Sequence, residues 1–189
     1  MIRKAEMKDI PRIAEIYDAI HALEEAGKMT IGWARGVYPT ADTAGEAVKA
    51  GDMFVLEKEG RVVASGRINQ VQMPAYREVS WRIQAEDDEV MVLHTLVVDP
   101  AFSGQGFARE FLCFYEDYAL SHGCPCLRID TNERNLVARA MYAKHGYEER
   151  GIIPCTFNGI EGVGLVCMEK RAEKENHDAV GAVPADSLV

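Results

Sequence analysis

The chain has 189 residues, 48% of them hydrophobic and 27% charged, with a formal net charge of -9. Such a length and balance fit one soluble globular domain with a proper core, and the acidity argues against nucleic acid as the main partner, because phosphate-backbone binding needs a basic face. No apolar run approaches the ~20 residues of a membrane span, and Met1-Ile2-Arg3-Lys4-Ala5-Glu6 lacks a signal-peptide core, so neither membrane nor export is expected and the location reads as cytoplasmic.

Ile2 to Ala5 reads as a first strand. Asp9 can cap a helix with Pro11 in its first turn, and Ile10, Ile13, Ile16, Tyr17 and Ile20 recur at helical spacing up to a stop before Gly27. A second, shorter helix starts at Thr40 or Asp42 and runs to Ala50. Phe54-Val55-Leu56 and Val62-Val63-Ala64 flank Lys58-Glu59-Gly60 as a β-hairpin. Residues 70–88 contain Pro74, Tyr76, Trp81 and an acidic run. They read as an irregular segment with at most a short strand around Trp81.

Val90 to Val98 is nearly continuously apolar, which predicts a central strand covered on both faces. Phe107 to Ser121 reads as a helix closed by His122-Gly123, Leu127 to Asp130 as the next strand, and Leu136 to Lys144 as a further helix closed by His145-Gly146. Tyr147 to Ile153 and Gly164 to Glu169 form a last strand pair. The expectation is an α/β fold, a mixed sheet with helices on both faces, over residues 1–170, followed by a mobile tail over 171–189. Cys113, Cys124, Cys126, Cys155 and Cys167 are odd in number and irregular in spacing, which fits reduced thiols rather than disulfides. Cys124-Pro125-Cys126 lacks a second ligand pair, so no metal is expected.

Gly104-Gln105-Gly106 lies between a strand and a helix. That junction presents unpaired amides at a positive helix end, and glycines let a bulky anion approach the backbone. A P-loop would continue Gly-Lys-Ser/Thr, whereas Phe107-Ala108 follows; a dinucleotide fingerprint would place glycine where Arg109 stands. Without further context the loop reads equally as a phosphate cradle or an ordinary turn.

Two blocks supply the context. His94 to Ala108 resembles the acetyl-CoA-binding motif of the GNAT N-acetyltransferase superfamily, L-x-V-x-P-x-x-R/Q-G-x-G-x-G/A. Leu96, Val98, Pro100, Gly104, Gly106 and Ala108 match in register, and Ser103 stands where the family has Arg or Gln. Asp130-Thr131, Asn135, Ala138, Met141, Tyr142 and Gly146-Tyr147 resemble the family's D-x-x-x-x-N-x-x-A-x-x-L-Y-x-x-x-G-F/Y block.

The resemblance implies a GNAT-like fold and an enzyme that uses acetyl-CoA, in which an amine attacks the thioester directly. It implies that Leu96, Val97 and Val98 bind the pantetheine arm and the carbonyl through their backbone. Ser103, Gly104, Gln105, Gly106, Phe107, Ala108 and Arg109 would hold the pyrophosphate, and Asn135 would touch the arm. Tyr142 falls at the place of the family's general acid, a role that suits a phenol protonated at neutral pH.

For the base, His94 is the sharper candidate, and a buried structural histidine is an equal reading. Strand alternation puts it on the face of Leu96 and Val98, and its ordinary pKa of ~6.5 suits proton uptake. Glu89 is the reserve, more simply read as a solvated charge where the strand begins. Trp33, Tyr38, Asn69, Gln72 and Tyr76 are candidates to line the acceptor pocket, and for any one of the aromatics local core packing is the simpler reading. The expected reaction is N-acetylation of a primary amine on a small molecule or amino acid. A protein or peptide N-terminal acetyltransferase and a CoA-binding sensor without turnover are the alternatives, and a homodimer is the default assembly.

Overall fold

The computed structural model describes residues 1–173. The strands are β1 (Ile2–Lys4), β2 (Met53–Lys58), β3 (Arg61–Asn69), β4 (Val90–Val98), β5 (Cys126–Asn132), β6 (Glu148–Phe157) and β7 (Ile160–Arg171). The α-helices are α1 (Ile10–Glu25), α2 (Ala41–Ala50), α3 (Phe107–Ser121) and α4 (Leu136–Lys144). The strands form a sheet in the order β1-β2-β3-β4-β5-β7-β6. Every pairing is antiparallel except β4 with β5, whose parallel alignment requires the crossover that α3 supplies.

Helices cover both faces, as the hydrophobic pattern predicts. Ile13, Ile16, Tyr17 and Ile20 of α1 are buried with Ala44 and Ala47 of α2 against Met53, Val55 and Val97. Spacing at i, i+3, i+4 and i+7 puts the α1 residues on one stripe, and each buried isoleucine side chain contributes roughly 1.5–3 kcal/mol. On the opposite face Phe111, Leu112, Tyr115 and Ala119 of α3 and Tyr142 of α4 pack on Leu56, Met91, Leu93, Leu127 and Ile129. Thr40 is the α2 cap, its hydroxyl accepting the Thr43 N–H. Asp9 occupies the α1 N-cap position but makes no side-chain cap there; its carboxylate instead accepts Arg3 Nη1 at 2.7 Å and the Glu6 N–H at 2.8 Å.

Residues 70–89 cover the rest of the α1 face. Tyr76, Val79 and Trp81 pack on Val90, Val92, Cys126, Leu165 and Cys167. No strand forms around Trp81, where a short one was allowed for: the indole is spent on the Tyr76 ring at 5.2 Å and on the Arg128 guanidinium at 4.1 Å. The final hairpin is longer than the sequence reading had it. β6 and β7 continue to Phe157 and Ile160, joined by Asn158-Gly159 with φ of 48° and 81°, the Asn-Gly pair that a tight hairpin favours. Strand β7 also takes in Arg171, and Ala172 is buried, so the first of the residues read as tail belong to the fold. The remainder of that expected tail, beyond Glu173, lies outside the described residues. Cys124 packs in the α3 core and Cys126 in the opposite one, so this pair does not converge. No described helix is long and apolar enough to cross a membrane.

Candidate active site

The sheet parts at its centre. β4 and β5 pair from Val90 with Cys126 only as far as Leu93 with Ile129. Beyond that point β4 stays paired to β3 through Val98, and β5 stays paired to β7 through Asn132. The inner edges of both strands are thereby released from each other, which opens a slot with backbone donors and acceptors on its walls. Just below the parting, Tyr115 anchors the two strands together, its buried hydroxyl on Met91 O at 2.6 Å and Arg128 O at 3.1 Å.

A bulge in β4 sets what faces which way. His94 is opposite Arg67 and Val97 opposite Ser65, so Thr95 and Leu96 together face the single Gly66. Thr95 takes φ of 52°, uncommon for a β-branched residue. The extra residue reverses the alternation. Leu96 and Val98 join Met91 and Leu93 on the α3 side, while Val97 packs with α1. The expectation that His94 shares a face with Leu96 and Val98 is thereby corrected.

A cavity of about 750 Å³ runs through the slot. Leu96, Val97, Val98, Ser103, Ala108, Asn135 and Tyr142 line it, as do Trp33, Tyr38, Asn69 and His94. Gly104, Gln105, Gly106 and Arg109 are exposed and Phe107 half-buried at the start of α3. The first backbone bond of that helix is Glu110 N–H to Gly106 O. Among the described residues the amides from Gly104 to Arg109 have no acceptor, as expected for a helix start. Gly104 and Gly106 have φ of 77° and 81°, and a Cβ on either would meet nothing within 4 Å, so the space in front of these amides is open.

Tyr142 is buried on the α3 and α4 side, its ring 6.0 Å from that of Tyr147. Its hydroxyl makes no hydrogen bond among the described residues. Burial, and then the charge of Asp130, push its pKa upward, which keeps the phenol protonated. Asn135 caps α4, accepting the Ala138 N–H at 3.2 Å, and donates to Thr131 Oγ1. His94 Nε2 lies 3.0 Å from Asn69 Oδ1. Burial, and then the Arg67 guanidinium, lower its pKa to about 4, so the imidazole is neutral and a weak base.

Three sequence candidates fall elsewhere. Glu89 is exposed at the opposite end of β4, its carboxylate spent on the Glu86 N–H at 3.0 Å; nine extended residues separate that end from the slot's far rim. Gln72 does not line the cavity; it bonds Asp87 Oδ1 at 2.6 Å and accepts from Arg128. Tyr76 lies beneath the wall, buried, with its hydroxyl on Asp130 Oδ2 at 2.7 Å. Asp130, in the sequence only a motif position, is a further candidate base. It lines the cavity from β5, and burial raises its pKa to about 6, against the opposing effect of the Tyr76 hydrogen bond. Strand parity puts Asp130 with Cys126 and Arg128, on the α1 side, across the sheet from Tyr142.

The segment between α1 and α2 roofs the cavity. Glu24 accepts the Ile31 and Gly32 amides at 2.6 and 3.0 Å, and Thr30 Oγ1 bonds Arg134 O at 2.9 Å. A Cβ at Gly32 would collide with Asn132, so only glycine allows that approach. Trp33, Tyr38 and Phe157 follow edge to face, each pair 6.2 Å apart, which ties the roof to the tip of the last hairpin. The Tyr38 hydroxyl bonds Thr95 Oγ1.

A sheet split between two parallel strands, with free amides at the following helix start, defines a fold for grasping a long phosphate-ended cofactor through its middle. Residues 14–147 match the acetyltransferase (GNAT) family, and the chain belongs to that family. It is 32% identical over 97 residues to the uncharacterized N-acetyltransferase YhfO of Bacillus subtilis (strain 168), a match over 51% of this chain and 58% of that relative; the chain thus matches little more than half the length of that curated protein. The fold is shared with a GNAT-family acetyltransferase of Streptococcus agalactiae 2603 (TM-score 0.76, 22% identity, 92% of this chain and 96% of that one). It is shared too with yncA of Salmonella typhimurium, solved with its cofactor acetyl-CoA (TM-score 0.65, 20% identity, 97% and 98%). Acetyl-CoA is the cofactor of this family, and the residues present fit it: open amides for a pyrophosphate, and a slot with unpaired strand edges for the arm.

Proposed function

We propose that residues 1–170 act as an N-acetyltransferase domain that acetylates the primary amine of a small molecule held on the α1 side of the sheet. The carrying observation is the roofed cavity that joins this side, through the slot, to the amides at the start of α3. The bond between the α1–α2 segment and Arg134, and the Tyr38–Phe157 contact, favour a small acceptor over a peptide, which needs an open-ended groove.

Bound there, acetyl-CoA supplies an activated acyl group. The amides from Gly104 to Arg109 hold its diphosphate, and the released β4 edge at Leu96 to Val98 aligns its arm and donates to the carbonyl oxygen. Asp130 takes the proton of the acceptor amine as the nitrogen bonds to the acyl carbon. The carbon–sulfur bond breaks, and Tyr142 gives its proton to the departing thiolate. His94, neutral and held by Asn69, orients the acceptor side. Acid and base thus stand on opposite faces of the sheet, one per substrate.

An amine panel with acetyl-CoA, read as free CoA thiol, tests the proposal. Turnover with at least one small amine is expected. Acetyl-CoA that raises the melting temperature while no amine releases thiol would leave a CoA-binding sensor instead.

A further inference from the structure

Among the described residues, two side chains inside the cavity carry charge, Asp130 and Arg67; Lys28 and Glu46 also line it but are exposed at its rim. Arg67 has a defined place. Ser65 and Arg67 flank Gly66, whose Cβ direction meets Phe111 and Leu93 on the α3 side. Both neighbours therefore project to the α1 side, next to each other along β3. The guanidinium is paired side-on: Nε and Nη2 reach the single oxygen Oδ2 of Asp52 at 3.4 and 3.1 Å. That leaves the Nη1 end without a bond among the described residues, and a planar fork with a free edge is a bidentate carboxylate receptor.

A second observation marks the same wall. Tyr17 lines the cavity at 1% exposure, and its hydroxyl faces that of the fully buried Ser65, the two having only each other among the described residues. Buried hydroxyls are nearly always fully satisfied, and a pair bonded only to each other leaves one proton unused, so the Tyr17 hydroxyl on the cavity wall is free to bond a polar group held there. Tyr38 lines the same cavity, and its hydroxyl lies within electrostatic reach of both Asp130 and Arg67.

We infer that the acceptor is an amino acid in its zwitterionic form, its carboxylate seated on Arg67 with the Tyr17 hydroxyl and its ammonium directed to Asp130. This rests on the acetyltransfer reading and narrows its substrate class. The acceptor's two charges complement the two the cavity carries.

The test pairs each amino acid of a panel with its carboxamide and its decarboxylated amine, with acetyl-CoA as donor and CoA thiol as readout. The free acid is expected to exceed both partners by roughly 10²-fold in kcat/KM, mainly through KM, because both partners lose the charge-assisted bonds to the free Nη1 edge of Arg67. Arg67→Met should erase that preference while leaving turnover of the decarboxylated amine within a few fold, and Arg67→Lys should restore part of it. Tyr17→Phe, which keeps the core volume, should lower the preference by roughly tenfold. Amines accepted equally with and without a carboxylate would overturn the inference and leave acetyltransfer standing. No thiol released by any amine would overturn both.

Discussion

Asparagine at position 130 keeps the volume and the acceptor for the Tyr76 hydroxyl but cannot ionise. Burial holds the Asp130 carboxyl at about 6, above its ordinary 3.8. The folded state therefore binds the proton more tightly than the unfolded chain. The contribution to stability is fully present below about pH 4 and is lost as pH rises through about 6. A shift of roughly two pH units corresponds to ~3 kcal/mol, which the partly open cavity reduces to about 1–3 kcal/mol. Asp130→Asn is therefore expected to be more stable than the native chain by that amount at pH 8, about 2–10 °C in melting temperature for a chain of this size, and no more stable at pH 4. Acetyl transfer should fall by roughly 10²-fold or more, and the acid limb of the kcat/KM profile, expected near pH 6, should disappear. Thermal melts at both pH values, run beside thiol-release assays, provide the measurement. A variant that melts below the native chain at pH 8, or that turns over at native rates, would refute the burial argument or the base assignment respectively.

Tyr142→Phe should fold normally and bind acetyl-CoA within a few fold of the native chain, because the hydroxyl makes no hydrogen bond among the described residues, while kcat drops by roughly 10²-fold in thiol-release kinetics. His94→Gln should retain the acid limb near pH 6, because an imidazole held near pKa 4 does not produce it; its disappearance would move the base role to His94. Gly106→Ala puts an L side chain at φ of 81°, with a strain cost of roughly 1–2 kcal/mol seen by denaturant unfolding, and should raise the KM for acetyl-CoA further because the new methyl stands before the open amides. Tyr115→Phe strands the carbonyls of Met91 and Arg128, costing about 1–3 kcal/mol in the same unfolding assay.

Much of the fold was legible along the chain because it depends on local chemistry. The 3.6-residue repeat of Ile13, Ile16 and Ile20, the nearly continuous apolar run from Val90 and the helix stops at Gly123 and Gly146 each act within a few residues, and the elements they predict are present. Gly104 and Gly106 announced the helix start with its bare amides for the same reason. Asn158-Gly159 carries an equally local hairpin signal, and it extends β6 and β7 beyond the apolar stretches that mark them.

What lay beyond the sequence was set by contacts between distant residues. No residue type reports that Thr95 adopts a positive φ, yet that single bulge decides that His94 and Leu96 part company across the sheet. Asp130 was visible as one letter of a motif; its raised pKa exists only because the assembled fold buries the carboxyl, an effect that the hydrogen bond from Tyr76, 54 residues away, opposes. Gln72 and Tyr76 looked like pocket residues by type and turned out to be the supports beneath the pocket wall. Pattern fixes which face of a strand or helix is apolar, since that is a property of neighbours along the chain. The protonation and company of a cavity group depend on which strands stop pairing and what then packs against them, and only the assembled sheet decides that.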